Sequence, residues 1–194
     1  MKENDHHFFA YISRMRFINR WALMRNSYTE NIQEHSHMVA VLAHALGVIR
    51  RDIFKKPCDP NYLAAAALYH DAPEILTGDL PTPIKYYNPA IREAYRQVER
   101  VAEEKLLAML PDELRPTYSA ALSPAAPEIQ QLVKAADKLS AYIKCLEELK
   151  AGNTEFKQAA EQTRYALDDM ELPELDYFLE NFLPSFKLTL DELE

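Results

Sequence analysis

The sequence predicts an all-α fold, and three features of its composition and patterning support that prediction. Only three of the 194 residues are glycine, whereas an average chain of this length carries about fourteen. Alanine, leucine and glutamate, which favour helices, are abundant. Apolar residues recur at helical spacing in several segments, and no segment shows a convincing alternation of apolar and polar residues typical of a half-buried strand.

The first two predicted helices are separated by a polar stretch. Apolar residues at helical spacing predict a helix over residues 5–19. Either Thr29 or Asn31 can cap the second helix, because short polar side chains accept hydrogen bonds from the first turn. That second helix has an apolar stripe that runs from His35 to Ile49.

Proline and glycine mark the boundaries of the third helix. An Asp-Pro pair at 59–60 predicts its start, because a capping residue followed by proline is typical of a first turn. Pro73 is poorly tolerated inside a helix, so we expect a break near Ala72. Gly78 fits a helix end, and two prolines predict a rigid, irregular loop over residues 79–83.

The second half of the chain is also predicted to be helical. The predicted elements are a helix over 88–110, a connection over 116–127, a long helix over 128–150 that ends near Gly152, and two final helices over 154–170 and 173–182. No internal repeat, low-complexity tract or long linker interrupts the sequence. We therefore expect one domain over residues 1–194.

Composition excludes several classes of function. Lysine and arginine number 22 against 30 acidic residues, for a net charge of −8, which argues against a protein that binds nucleic acid polymers. The three glycines lie far apart, so no glycine-rich phosphate loop is present. Two isolated cysteines argue against a thiolate zinc site. Without a signal sequence or an apolar run of about 18 residues, we expect a cytoplasmic protein with no membrane segment.

The most informative polar residues lie where the helical pattern predicts a core. His70 and Asp71 follow an apolar run over residues 62–69, His35 lies on an apolar stripe, and Asp137 lies beside apolar positions of the long helix. A buried carboxylate is costly unless it is paired or binds a cation. Each residue alone is more often structural. As a set, two imidazoles and two carboxylates suit one divalent ion such as Mn²⁺, Co²⁺, Fe²⁺ or Mg²⁺.

This order of residues resembles the H…HD…D signature of HD-domain metal-dependent phosphohydrolases. The resemblance implies that His35, His70, Asp71 and Asp137 bind one divalent metal inside an HD-type helical bundle. Further stretches resemble the bacterial 5′-deoxynucleotidases of this superfamily over nearly the whole chain, namely 18–21, 29–31, 34–36, 69–74, 77–85, 134–137, 142–149 and 184–186. These enzymes remove phosphate from deoxyribonucleoside 5′-monophosphates and are typically homodimers, so we expect that substrate and a homodimer here.

The resemblance also implies roles for residues outside the metal set. Glu74 is expected to be the catalytic acidic residue, orienting water or moving a proton. Arg20 suits bidentate contact with phosphate, and Trp21 offers a flat wall for sugar or base. Without the resemblance, Glu74 completes a helix turn as readily, and a sole tryptophan is more often a core residue.

The stiff loop after Gly78 supplies further substrate candidates. Asp79 is expected to accept a hydrogen bond from a deoxyribose hydroxyl, although a loop cap is an equally good interpretation from the sequence alone. Thr82 and Lys85 are additional candidates, and Lys85 is placed to meet phosphate or to remain solvated.

Two other functions remain open. One is a different HD activity, such as a nucleoside triphosphohydrolase or a cyclic-nucleotide phosphodiesterase. A triphosphate calls for more cationic residues than Arg20, Arg25 and Lys85 provide. The other is a catalytically inactive, nucleotide-sensing helical module, which requires a missing metal ligand, and none of the four is missing.

Overall fold

A computed structural model describes residues 6–85 and 87–193, with the side chains of Thr82 and Pro83 outside that description. The α-helices are α1 (Phe8–Ile12), α2 (Ile32–Val48), α3 (Pro60–Tyr69), α4 (Glu74–Thr77), α5 (Thr82–Lys85), α6 (Pro89–Leu107), α7 (Arg115–Leu122), α8 (Pro127–Lys150), α9 (Lys157–Asp168) and α10 (Pro173–Asn181). Short 3₁₀ helices cover Ser13–Phe17, Thr154–Phe156, Leu183–Lys187 and Leu190–Glu192, and a π-helical turn covers Ile49–Ile53. The described residues contain no β-strand, only an isolated bridge between Asn19 and Asn31, which confirms the all-α prediction.

Helix α2 lies at the centre of the fold, where it packs against α3 and α8. Its start is fixed by a capping box in which the Asn31 side chain accepts from the Glu34 amide and the Glu34 carboxylate accepts from the Asn31 amide. Of the two predicted caps, Asn31 is therefore the one used. The apolar stripe of α2 enters a core shared with α3, α8, α9 and α10.

A glycine allows α2 and α3 to approach closely. A Cβ atom added at Gly47 lies 3.1 Å from Pro60 Cα and 3.2 Å from Leu63 Cδ2. Pro60 stands in the first turn of α3, where the Asp59 carboxylate accepts from the next two amides. This tight contact fixes α3, and with it the polar residues at its end, against α2.

The break after α3 lies where the sequence predicts it. Residues 70–73 form tight turns in which the amides of Ala72 and Glu74 bond to carbonyls three residues earlier. Pro73 has no amide hydrogen and cannot continue the α-helical pattern. Helix α4 ends at Gly78, whose φ of 73° suits a residue without a Cβ.

Three predicted boundaries are wrong. The segment 116–127 is not a plain connection, because Pro116 lies in the first turn of α7, where its missing amide is tolerated. The predicted first helix becomes 3₁₀ at Ser13 and ends at Phe17, and its residue 5 lies outside the described residues. The predicted loop over 79–83 is shorter, because α5 begins at Thr82.

Two smaller apolar clusters flank the main core. One joins α1, α6 and α7 around Phe8 and Leu106, and the other surrounds Phe156 beside α8. None of the described helices is both long and apolar enough to cross a bilayer.

A buried ion pair connects α8 to the segment that precedes α2. The side chains of Lys144 and Glu148 are almost completely inaccessible to solvent and bond to each other. The Glu148 carboxylate also accepts hydrogen bonds from the Ser27 amide and from Asn153 Nδ2. Lys144 Nζ donates to the Tyr28 carbonyl at 2.8 Å and lies 3.4 Å from the centroid of the Tyr28 ring. The segment around Tyr28 is thereby held on α8 by charge rather than by apolar packing.

This network makes stability depend on pH. Burial opposes ionisation of Glu148, but Lys144, Asn153 and Ser27 outweigh it and lower its pKa to about 2. Because the folded pKa lies below the unfolded value, the contribution is present above about pH 4.5 and is lost as pH falls toward 2. We expect Glu148→Gln to lose about 3–5 kcal/mol at pH 7 and less at pH 3, measured by urea unfolding against the parent protein.

Glu180→Gln is the matched control, since Glu180 lies on the exposed face of α10. We expect it to change stability by no more than about 0.5 kcal/mol at either pH. Equal losses for Glu148→Gln at pH 7 and pH 3 contradict the assigned role.

Candidate metal and substrate site

Three parts of the helical bundle deliver imidazole and carboxylate groups to one point. His35 Nε2 lies 3.0 Å from Asp137 Oδ1 and 3.7 Å from Asp71 Oδ2. His70 Nε2 lies 3.1 Å from Asp71 Oδ2 and 4.0 Å from Asp137 Oδ1. Bonds from a metal to such atoms are about 2.0–2.2 Å long, so atoms up to about 4 Å apart can share one ion. The four residues predicted as ligands are therefore brought together.

The outer nitrogens of both imidazoles are held so that Nε2 faces the cluster. His70 Nδ1 lies 2.7 Å from the Ala67 carbonyl and donates to it, so that Nε2 becomes the lone-pair nitrogen when the ring loses its second proton. Ser140 Oγ lies 3.2 Å from His35 Nδ1 in the buried interior. His70 Nε2 is buried and has no hydrogen-bond partner among the described residues. An orphaned imidazole nitrogen beside two carboxylates fits a divalent cation.

Charge balance in the cluster points the same way. Burial opposes ionisation of Asp71, but the His70 charge outweighs it and holds the Asp71 pKa well below its usual range. Burial also raises the pKa of Asp137, but a hydrogen bond to His35 outweighs burial and lowers this pKa to about 2. Burial lowers the pKa of His35, with Arg20 adding to the effect. For His70, Asp71 outweighs burial and raises the pKa to about 9. The two anionic carboxylates are thus offset by an imidazolium, a role that a metal ion can take over.

Glu74 and Asp79 approach the cluster from α4 and the turn that follows. The Glu74 carboxyl is buried, and its Oε2 has no hydrogen-bond partner among the described residues. Burial and the charges of Asp71 and Asp79 raise its pKa to about 9. Burial also raises the pKa of Asp79, and the charge of Arg20 offsets only part of this increase. The Glu74 carboxyl thus offers a polar atom with no protein partner on the α4 side of the cluster.

Arg20 and Trp21 are held by a residue that sequence analysis did not select. Glu30 Oε2 accepts from Arg20 Nη1 at 3.1 Å and from Trp21 Nε1 at 2.9 Å. The Trp21 backbone has φ of 58°, an unusual value for a bulky side chain, and its half-buried ring packs on Phe156 at 5.3 Å between centroids. The Arg20 charge acts on the pKa of Asp71, so Arg20 lies near the same cluster.

Lys85 and Thr82 are the two remaining predicted substrate residues. Lys85 Nζ pairs with Glu99 Oε1 at 2.8 Å and lies 4.5 Å from the Tyr95 ring centroid. The Lys85 charge lowers the pKa of Glu74, so Lys85 lies near the site. Its charge is already neutralised by Glu99. The Thr82 side chain lies outside the described residues.

Ser140 and Glu30 carried no pattern that could have identified them. A serine on the buried face of a long helix reads as a small core residue, and a glutamate before an N-cap reads as solvated. Glu30 meets Arg20 only because the bridge between Asn19 and Asn31 aligns the two segments.

Comparison with known proteins gives a consistent result. The family described as YfbR-like 5′-deoxynucleotidase matches residues 7–186. A curated 5′-deoxynucleotidase from Vibrio atlanticus is 50% identical over 189 residues, which cover 96% of this chain and 97% of the relative.

Two solved structures share the fold. An HD-domain phosphohydrolase from Listeria innocua superposes with a TM-score of 0.80 at 24% identity and covers 93% of this chain and 88% of that chain. The HD phosphohydrolase DatZ of cyanophage S-2L, bound to dA and one catalytic Zn²⁺ ion, superposes with a TM-score of 0.64 at 25% identity and covers 93% and 96%.

The contact between Ser140 and His35 predicts an effect on metal affinity. Ser140→Ala removes the group that orients the His35 ring, so we expect affinity for a divalent cation to fall by about 10–100-fold. Titration of the metal-free protein with Co²⁺ or Mn²⁺ against a competing chelator measures the effect.

Ser36→Ala is the matched control, because Ser36 is a buried serine on α2 whose hydroxyl has no hydrogen-bond partner among the described residues. We expect it to keep the parental affinity. If Ser140→Ala binds metal as tightly as the parent protein, Ser140 does not position His35.

Proposed function

The chain belongs to the YfbR-like 5′-deoxynucleotidase family, and we infer that it is a metal-dependent hydrolase that converts deoxyribonucleoside 5′-monophosphates into deoxyribonucleosides and phosphate. The geometric observation that carries this inference is the convergence of His35, His70, Asp71 and Asp137, with opposed Nε2 and Oδ atoms 3.0–4.0 Å apart. Mixed nitrogen and oxygen ligation that leaves room for water suits catalysis rather than a closed structural site.

The four converging side chains are proposed as the ligands of one divalent ion. When bound, such an ion lowers the pKa of coordinated water and neutralises charge on phosphoryl oxygens. The donor set is compatible with Co²⁺, Mn²⁺, Mg²⁺ or Fe²⁺. Zn²⁺ joins these candidates, because DatZ holds a catalytic Zn²⁺.

The polar residues beside the cluster are proposed to bind the nucleotide. Arg20 is assigned to the phosphate, Trp21 to the sugar or base, and Asp79 to a deoxyribose hydroxyl. Arg20 and Asp79 are supported by proximity, since the charge of Arg20 acts on the pKa of both Asp71 and Asp79. Trp21 is supported by the Glu30 carboxylate that it shares with Arg20. Thr82 and Lys85 remain secondary candidates for substrate contact.

Glu74 is proposed to position the attacking water through Oε2, the buried oxygen that has no hydrogen-bond partner among the described residues. The water oxygen bonds to phosphorus, the bond between phosphorus and O5′ breaks, and the leaving O5′ takes up a proton. Held at the edge of the ligand cluster, the carboxyl is placed to orient the water or to move a proton during the reaction.

The protein is further proposed to form a homodimer that acts on the cytoplasmic nucleotide pool. One face of α6 supports the dimer, because Ile91, Val98 and Val101 are exposed there and clustered apolar side chains on a surface mark association sites. Sedimentation equilibrium at micromolar concentration tests it, and a single species of 22.4 kDa rejects it.

The assigned activity predicts a specific substrate profile. After removal of metal and separate addition of Mn²⁺, Co²⁺, Zn²⁺ or Mg²⁺, we expect phosphate release from dAMP in preference to AMP, dATP and cyclic AMP. Asp137→Asn is expected to reduce turnover of dAMP by at least about 100-fold, because it removes one ligand charge. Phosphate release measured for each pair of metal and substrate checks both expectations.

Each alternative function gives a different profile. Equal release from dAMP and AMP rejects selectivity for deoxyribose, and preference for dATP or cyclic AMP favours another HD activity. Absence of release from every substrate with every metal favours an inactive module.

Glu74→Gln separates metal binding from turnover. We expect one bound ion per chain, as in the parent protein, with kcat for dAMP lower by about 100-fold or more, because an amide can neither accept nor donate the proton that a carboxyl group exchanges. Metal content by mass spectrometry and steady-state kinetics measure the two quantities. Unchanged kcat excludes Glu74 from the reaction.

A further inference from the structure

A cavity beside α7 and α8 reaches the ligand cluster. It has a volume of about 300 Å³, and its lining includes His70 and Asp137 of the cluster together with Gln130 and Lys134 of α8. Arg20, Trp21, Glu74 and Asp79 do not line it. The cavity therefore approaches the cluster from a direction other than that of the proposed nucleoside contacts.

The cavity wall is held in place by its own hydrogen bond. Gln130 Nε2 donates to the Pro124 carbonyl at 2.6 Å, which fixes the turn between α7 and α8. Lys134 lies three residues before Asp137 on α8, so both side chains share one helix face. Lys134 is exposed to solvent, whereas Asp137 is partly buried.

Lys134 differs from Arg20 and Lys85 because it forms no ion pair with a carboxylate among the described residues. A phosphate monoester brings up to two negative charges, whereas Asp71 and Asp137 already balance a divalent ion. Arg20 is paired with Glu30 and Lys85 with Glu99. Within residues 6–85 and 87–193, no carboxylate forms an ion pair with Lys134 and no acceptor bonds its side chain. Lys134 is thus a cation in this cavity without a neutralising partner.

We propose that Lys134 binds the phosphoryl group of the substrate and the phosphate product, which occupies the cavity between α7 and α8. The inference rests on the proposed function for the identity of the substrate, but it makes a separate claim about phosphate. The cavity volume exceeds that of a phosphate ion, and the remaining space accommodates water at about 30 Å³ per molecule. Phosphate released there has a path to solvent that does not cross Arg20 and Trp21.

The experiment compares Lys134→Met and Lys134→Arg with Lys157→Met, a control that removes an exposed lysine on α9. For the metal-loaded proteins, kcat/KM for dAMP is measured by steady-state kinetics and affinity for inorganic phosphate by calorimetry. We expect Lys134→Met to lose about tenfold or more in both quantities, since a hydrogen bond to a charged group is lost. We expect Lys134→Arg to retain most of the kcat/KM and most of the phosphate affinity, and we expect Lys157→Met to match the parent protein in both quantities.

The outcomes separate this proposal from the proposed function. If Lys134→Met stays within about twofold of the parent in both quantities, or if Lys157→Met loses as much, the proposal is overturned. If the parent protein releases no phosphate from dAMP but its phosphate affinity still depends on Lys134, the phosphate site stands and the assigned substrate fails. Because Lys134 is exposed, its replacement is expected to leave the thermal midpoint unchanged.

Discussion

Compensation of buried negative charge is the constraint on which the site depends. Asp71 and Asp137 are partly buried and each lies within 4.0 Å of both histidine Nε2 atoms, in surroundings where an unpaired carboxylate is costly. The two histidines are held by the Ala67 carbonyl and by Ser140. The proposed divalent cation would satisfy both carboxylates and both Nε2 atoms at once. Without it, the negative charge of the two carboxylates is offset mainly by the neighbouring imidazoles.

Helix α8 joins this cluster to the substrate side of the molecule. Asp137, Ser140, Lys144 and Glu148 follow one another at intervals of three or four residues, so they form a polar stripe along one face of a largely apolar helix. Asp137 is one of the proposed metal ligands, and Ser140 contacts His35, another of them. The last two members of the stripe hold the segment around Tyr28, and Glu30 in that segment positions Arg20 and Trp21. A single helix thereby sets the distance between the ion and the residues proposed to bind the nucleotide.

The sequence was informative where polar residues interrupted a periodic apolar pattern. His35 and Asp137 stood out because helical spacing assigned their positions to the core, and the structure brings both to one point. Glu30 and Ser140 could not be found in this way, because their roles depend on contacts between segments about 10 and 105 residues apart. Most of helix α7 lies in the segment over 116–127 that the sequence predicts to be a connection. The proline that begins this segment occupies the first turn of the helix, where proline is also common. Local signals predicted the helices and the four residues that converge in the cluster, whereas the supporting residues depend on tertiary contacts.

Anomalous diffraction from crystals grown with Co²⁺ or Zn²⁺ is the most direct measurement of the central claim, since it locates the ion without reference to activity. The account predicts one strong peak per chain, about 2.0–2.2 Å from Nε2 of His35 and His70 and from a carboxylate oxygen of Asp71 and Asp137. A peak bound elsewhere while these four side chains hold no ion, or ligation that leaves out Asp137, contradicts it.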